Sequence, residues 1–441
     1  MRLSIYTILF VELDKYYMYN TLSSALIEIN EEIYNYIQLS VSKGFEIDSN
    51  TVGSDLWDIL RDRYFISENP KDDFLQYKSM MMKIRNQRSF MHLTIAPTME
   101  CNFNCFYCFE TNKPKGKMTP EVMDSIIKYI ESMPSLEKIY LTWFGGEPLL
   151  AIELMELFYA KLTQHSFKSF DSNVITTGYH LSESVIRTLQ KIKISSIQIT
   201  LDGNKDRHNK VKRTDECDDV FSRILHNVDL VTQLAPEINV VFRVNTTKQN
   251  IAEFPELYKL LVMRYKGKNV SISPGIVQDR SSKTHNSSCY LNNKETYDFI
   301  LDLWQNHKIY TPWLRYPQNT CSECAIRDNQ AISFDAEGYA YKCWEMIGQR
   351  KYSIGKINKD GIVENVNHIV LNRQLYGADA LSDPQCIECK FLPICTGGCP
   401  IQRIQNEFED YSNEVCTIYK ENIEEFLKVH IGLKESGYEN H

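Results

Sequence analysis

Between Leu93 and Ile276 six apolar, β-branched runs (93–97, 138–144, 172–177, 196–201, 238–245 and 269–276) alternate with amphipathic helical stretches. That alternation constrains the fold more than any other feature of the chain. Six strand–helix units in succession imply a parallel sheet with right-handed crossovers, hence an α/β class. The first connection carries clear helix grammar: Thr119 precedes Pro120, and proline suits the first helical position. Val122, Ile126, Ile130 and Met133 then share one face until Pro134 stops it.

Directly after the first run lies MECNFNCFYCFE, with Cys101, Cys105 and Cys108 on one short loop. Three thiolates so placed can hold three irons of a four-iron, four-sulfur cluster. The fourth iron is then open to a reacting ligand, as an open position distinguishes catalytic from structural zinc. A zinc site is the competing reading, but zinc motifs close with a second cysteine pair or histidines, and this loop has none nearby. The loop resembles that of the radical S-adenosylmethionine (SAM) enzymes.

That resemblance implies a six-unit partial (β/α)6 TIM-like barrel with function at the C-terminal strand ends, where the cysteine loop falls. It implies that SAM chelates the open iron and that Tyr107 lies near its adenine. Two further segments match. Gly145-Gly146-Glu147-Pro148 follows the second run; its glycines let backbone approach a ligand, and its free amides and carbonyls are expected to bind the methionine end of SAM, supported by Glu147. Thr177 stands where relatives often carry Asn. Thr200 and Asp202, in Thr-Leu-Asp-Gly, and Arg243 with Asn245 are expected near the SAM ribose or carboxylate, the alternative being ordinary polar residues at a barrel rim.

A second array occupies the last quarter: Cys321, Cys324, Cys343, Cys386, Cys389, Cys395, Cys399 and Cys416, with Gly338 ahead of Cys343. Its order resembles the SPASM extension of radical SAM peptide maturases. By that resemblance one auxiliary cluster uses Cys321, Cys324, Cys343 and Cys399, and another uses Cys386, Cys389, Cys395 and Cys416. Three [4Fe-4S] clusters then take eleven of the thirteen cysteines, leaving Cys217 and Cys289 as small buried hydrophobes. The alternatives are a zinc ribbon built on the two Cys-x2-Cys pairs, or disulfides, which would need an oxidising compartment.

Residues 1–85 read as a separate α+β unit. Ser4 to Leu13 and Tyr16 to Asn20 flank Asp14-Lys15 as a hairpin would. Asn30 can cap a helix with Ile33 and Ile37 on one face, and Leu56, Ile59, Leu60 and Tyr64 mark a second helix after Ser54. The unit resembles the winged-helix-like leader-recognition domain of peptide maturases, where a precursor adds a strand to a sheet edge. A simple cap over the barrel is the alternative. The expected organisation is 1–85 for leader recognition, 90–300 for the radical SAM barrel, and 301–441 for the cysteine-rich SPASM domain.

The net charge of −8 argues against nonspecific nucleic-acid binding. The basic islands Lys205 to Arg213 and Arg243 to Lys248 read as solvated faces or single-anion sites. No uncharged apolar run is long enough for a membrane span, and MRLSIYTILFVELDKYY has acids inside its apolar stretch, unlike a signal peptide. A reducing cytoplasmic location is expected. The resemblance implies one-electron cleavage of SAM to a 5′-deoxyadenosyl radical, with a flavodoxin or ferredoxin as electron donor. The expected activity is oxidoreductive maturation of a ribosomally made precursor peptide by a thioether or carbon–carbon cross-link. An anaerobic sulfatase-maturing enzyme is the rival, although in that family Asp follows the cysteine equivalent to Cys343, whereas Trp344 and Glu345 follow it here. A non-catalytic metal scaffold or electron-transfer protein is the reading from another class.

Overall fold

The computed structural model describes residues 1–108, 115–164, 169–277 and 289–435. Strands β1 (Arg2–Leu3) and β5 (Ile66–Ser67) form a small antiparallel pair. Strands β2 (Thr7–Glu12), β3 (Lys15–Asn20) and β4 (Leu26–Ile29) form an antiparallel three-stranded sheet. Leu13 and Asp14, both at positive φ (49° and 60°), make the two-residue turn of the β2–β3 hairpin. The turn thus falls one residue before the expected Asp14-Lys15, and Lys15 pairs with Glu12 instead. A leucine at positive φ is sterically disfavoured, which hid this register in the sequence.

Asn30 caps helix Glu31–Lys43 as expected, its side chain accepting from the Ile33 amide at 2.8 Å. In helix Ser54–Asp62 the inward stripe is Leu56, Trp57 and Leu60. Ile59 and Tyr64, expected on that face, are exposed. A longer helix, Pro70–Arg85, is capped by Asn69 and has proline at its start. Ile8, Phe10, Tyr17 and Tyr19 pack on Phe391, Ile423, Leu427 and Ile431 from the cysteine-rich end of the chain. Each such side chain, when fully buried, contributes roughly 1.5–3 kcal/mol.

The six expected strands are all present: β6 (Phe90–Ile95), β7 (Lys138–Trp143), β8 (Ser169–Thr176), β9 (Ile194–Leu201), β10 (Asn239–Thr246) and β11 (Val270–Ile276). They pair in parallel in chain order. Alternate residues such as Leu93, Leu141, Val174, Ile197 and Val240 are buried in one continuous core. Helix Pro120–Glu131 is capped by Thr119 and buries Met123, Ile126, Ile127 and Ile130.

The sheet continues past the barrel. β12 (Ile332–Phe334) pairs in parallel with β6, and β13 (Tyr339–Tyr341), β14 (Gly355–Ile357) and β15 (Val363–Glu364) follow antiparallel, giving ten strands. The cysteine-rich region is therefore joined to the barrel by backbone hydrogen bonds beside the strand that feeds the first cysteine loop. Cys217 and Cys289 are half-buried rather than fully enclosed. No helix of the described residues is long and apolar enough to cross a membrane.

Candidate active site

A cavity of about 760 Å³ opens at the C-terminal ends of the barrel strands. On the barrel side it is lined by Cys101, Cys105, Tyr107, Cys108, Gly145 and Gly146, and further round by Thr177, Thr200, Arg243 and Asn245. Cys395, Cys399 and Cys416 line it as well. Both cysteine arrays thus meet in one chamber. Its volume is in the range of small-molecule and cofactor sites.

The Gly-Gly-Glu-Pro segment braces the cysteine loop. The amides of Phe144, Gly146 and Glu147 donate to the carbonyls of Ile95, Thr98 and Glu100, at 3.0, 3.2 and 2.8 Å. A Cβ on Gly146 would lie 2.2 Å from the Glu100 carbonyl oxygen, and one on Gly145 would lie 2.4 Å from that of Thr98. The glycines therefore admit protein backbone first. The amides of Gly146 and Glu147, expected to be free for SAM, are already taken by the loop that carries Cys101.

Glu147 is fully buried, and Pro148 is buried beside it. The Glu147 carboxylate accepts from Thr176 Oγ1, Thr177 N, Thr177 Oγ1 and Leu149 N, at 2.7, 2.8, 2.6 and 3.1 Å. Thr177 thus ties the end of β8 to the glycine loop through both its amide and its hydroxyl.

At the end of β9, Asp202 turns into the protein rather than into the cavity. Its carboxylate accepts from Tyr107 Oη at 2.5 Å, from Asn245 Nδ2 at 3.3 Å, and from Lys212 Nζ. Lys212 also reaches Tyr107 Oη at 3.3 Å, and the Asp202 amide donates to His208 Nδ1 at 3.2 Å. Burial alone would raise the Asp202 carboxyl, but Lys212, with the Tyr107 hydroxyl bonded to it, holds it below its usual value. Burial would lower the Lys212 ammonium, but Asp202, followed by Cys105, keeps it raised. His208 is pushed down to about 3 by burial and by Lys212, so it is neutral. A closed ionic network therefore ties Tyr107, in the cysteine loop, to β9 and β10.

Lys212 was not legible in the sequence. It sits in the basic island read as a solvated face, yet it is only 2% exposed. The short helix Lys205–Val211, capped by Asn204, carries the chain back so that Lys212 meets Asp202. Nothing in its local pattern separates it from Lys205 or Lys210. Asn102 was also passed over: its side-chain nitrogen and oxygen are both buried with no hydrogen-bond partner among the described residues. Arg243 is exposed to the cavity and passes over Gly275, where a Cβ would lie 2.5 Å from its Nε.

In the second array, ionisation of Cys343 is opposed by burial, then by Glu345, Cys324 and Cys399. Cys324 is solvent-accessible, yet surrounding protein and the Cys399 thiolate help push it up to about 11. Cys395 is raised by burial and, more weakly, by Cys416 and Cys389. Two neighbourhoods result. Cys386 stands apart against Arg403 Nη1 at 3.5 Å, and Cys321 is exposed at a positive φ of 47°. Among the described residues no three His, Cys, Asp or Glu side chains converge where one metal ion could sit.

The family model for the radical SAM superfamily matches residues 95–261, spanning the cysteine loop, the glycine loop and the Asp202 network. This chain carries a radical SAM domain. The superfamily's [4Fe-4S] cluster and SAM are the cofactors that the site must fit. The residues do fit: three thiols share the cavity with two glycines, and Asn102, next to Cys101 in the chain, has a buried side-chain amide lacking a protein partner among the described residues.

The chain is 25% identical over 371 residues to the cysteine-type anaerobic sulfatase-maturating enzyme of Clostridium perfringens, covering 75% of this chain and 95% of that protein. The solved structure of anSMEcpe with AdoMet and Cp18Cys peptide matches with a TM-score of 0.58 at 21% identity, covering 78% of this chain and 97% of that one. Streptococcus suis SuiB bound to precursor peptide SuiA matches with a TM-score of 0.50 at 14% identity, covering 94% and 99%. The radical SAM fold thus extends into a cysteine-rich C-terminal part.

Proposed function

We propose that this radical SAM enzyme matures a ribosomally made precursor peptide by installing a thioether or carbon–carbon cross-link. The observation that carries this reading is the single chamber walled by both cysteine arrays. A substrate side chain held there lies between the site of hydrogen abstraction and groups able to accept an electron. The N-terminal unit adds support: the SuiB fold spans 94% of this chain, against 78% for anSMEcpe. Its sheet has two edge strands, β2 and β4, to which a leader could add by backbone pairing.

In this reading Cys101, Cys105 and Cys108 hold the first cluster. Cys321, Cys324, Cys343 and Cys399 hold one auxiliary cluster, and Cys386, Cys389, Cys395 and Cys416 hold the other. When bound, the first cluster supplies one-electron cleavage of SAM; the protein orients the reactants and excludes water. Arg243, Asn245 and Thr200 would meet the carboxylate or ribose of SAM, and the Gly145 to Pro148 loop its methionine end. Tyr107 is held in place through Asp202. The electron donor is a flavodoxin or ferredoxin, and the enzyme works in the reducing cytoplasm.

The test is anaerobic reconstitution with SAM, reductant and short peptides encoded beside the gene. The expected result is 5′-deoxyadenosine together with a peptide lighter by two hydrogens per cross-link. SAM cleavage with a peptide Cys or Ser converted to formylglycine would instead establish the second reading. That reading is favoured by the 25% identity to a sulfatase-maturating enzyme. A protein that binds zinc and no iron would overturn both.

One prediction concerns the auxiliary site that includes Cys386. Arg403 pairs with Asp383 and donates toward Cys386 Sγ. Hydrogen bonds to cluster sulfurs and nearby positive charge favour the reduced state. Arg403→Gln should therefore shift that cluster's midpoint roughly 40–60 mV more negative, equivalent to about 1 kcal/mol for one electron. Redox titration followed by electron paramagnetic resonance measures this directly.

A further inference from the structure

Arg85 is the last residue of helix Pro70–Arg85, in the N-terminal unit, yet its guanidinium is spent on the cysteine-rich region. Nε and Nη2 each donate to the Glu323 carboxylate at 2.6 Å. Nη1 and Nη2 donate to Asp379 at 2.5 and 2.9 Å. The side chains of Arg85, Glu323 and Asp379 are only 5%, 7% and 10% exposed. The Arg85 carbonyl also accepts from the Asn329 amide at 3.0 Å. Two bidentate pairs on one guanidinium fix direction as well as charge, which a lysine cannot do.

Both partners adjoin cysteines of the second array. Glu323 lies between Cys321 and Cys324. Asp379 precedes Ala380, whose Cβ lies 2.2 Å from where a Cβ on Gly397 would sit, in the loop between Cys395 and Cys399. The other end of the helix is anchored in the N-terminal unit: Asp73, in its first turn, accepts from the Ile5 amide at 3.2 Å and from Ser67 Oγ at 3.3 Å. Midway, Tyr77 and Met81 pack with Ala380, Leu381 and Leu392. The helix is therefore a strut about 24 Å long between the small sheet and the cysteine loops.

We infer that Arg85 is a positioning residue for the auxiliary cluster site, and that through it the N-terminal unit is part of that cluster's scaffold. This rests on the auxiliary-cluster reading above. Without Arg85, two buried carboxylates would lose their shared cation, and the segment from Cys321 to Cys324 would move to rehydrate Glu323. The N-terminal unit then cannot be regarded as a detachable recognition module.

The test compares the full chain, reconstituted anaerobically, as wild type, Arg85→Met, Arg85→Lys and Glu323→Gln. The readouts are iron and sulfide per chain and the electron paramagnetic resonance of the reduced protein. Arg85→Met should lose about four irons, one cluster's worth, together with one auxiliary signal. The signal perturbed by SAM, from the first cluster, should persist. Arg85→Lys should recover part of the loss. Should Arg85→Met fail to fold, Glu323→Gln keeps the arginine paired with Asp379 and should still show a partial loss. Full loading and unchanged auxiliary spectra in Arg85→Met, or in Glu323→Gln where only that variant folds, would overturn this inference alone. A wild type carrying only one cluster's iron would overturn it together with the reading beneath it.

Discussion

Gly146→Ala is expected to lose SAM cleavage almost as completely as Cys105→Ala, but for a different reason. The added Cβ would fall 2.2 Å from the Glu100 carbonyl oxygen and 2.4 Å from that of Met99. Both are backbone atoms, so no side chain can swing aside. The loop carrying Cys101 must shift, breaking the Glu147 N–H to Glu100 carbonyl bond at 2.8 Å. Overpacking of this kind costs about 1–3 kcal/mol in stability. A misplacement of about 1 Å at a reacting centre can cost about 100-fold in rate. Gly146→Ala should thus retain iron while losing about 100-fold or more in 5′-deoxyadenosine formation, whereas Cys105→Ala should lose the first cluster's iron as well. Near-wild-type turnover in Gly146→Ala would mean that the glycine loop does not set the position of the cysteine loop.

The second large effect is expected at Lys212. In Lys212→Met the aliphatic volume is nearly kept, but the buried Asp202 carboxylate loses its cation. Removing one partner of a buried pair typically costs about 3–5 kcal/mol. For a chain of this size the melting temperature should fall by several degrees. Tyr107 loses one of its two polar contacts in the network, so SAM affinity should fall along with stability. Lys212→Arg should recover stability more fully than SAM affinity, because its charge stays beside Asp202 while its larger head, in a site where Lys212 is only 2% exposed, must displace Tyr107. Calorimetric titration with SAM beside thermal unfolding separates the two effects. Unchanged melting in Lys212→Met would show that the pair is dispensable.

Much of this arrangement was legible before any coordinates. The six barrel strands show as apolar, β-branched runs because every second side chain enters the core, as in the alternating burial of β6, β7 and β10. The cysteine loops show because spacing along a loop survives folding. What stayed hidden depends on meetings between distant segments. Lys212 looks like its exposed neighbours until the short helix after Asn204 folds it back onto Asp202. Arg85 ends an ordinary amphipathic helix, and its partners lie more than two hundred residues away. Strands β12 to β15 are two or three residues long, too short to leave a periodic signal. Glu147 was expected to support the glycine loop, but its bonds to Thr176 and Thr177 come from the end of β8, some thirty residues further along the chain.

The parallel pairing of β12 with β6 bears on how a peptide gets in and out. Ile332, Ser333 and Phe334 lie in register with Leu93, Thr94 and Ile95, and the Ala96 amide donates to the Phe334 carbonyl at 2.9 Å. A clamshell opening of the two halves would have to unzip this seam directly beneath Cys101. In the proposed reading a peptide would enter through the mouth of the chamber with this seam intact, and an electron passing from one cysteine array to the other would cross the same gap at every turnover.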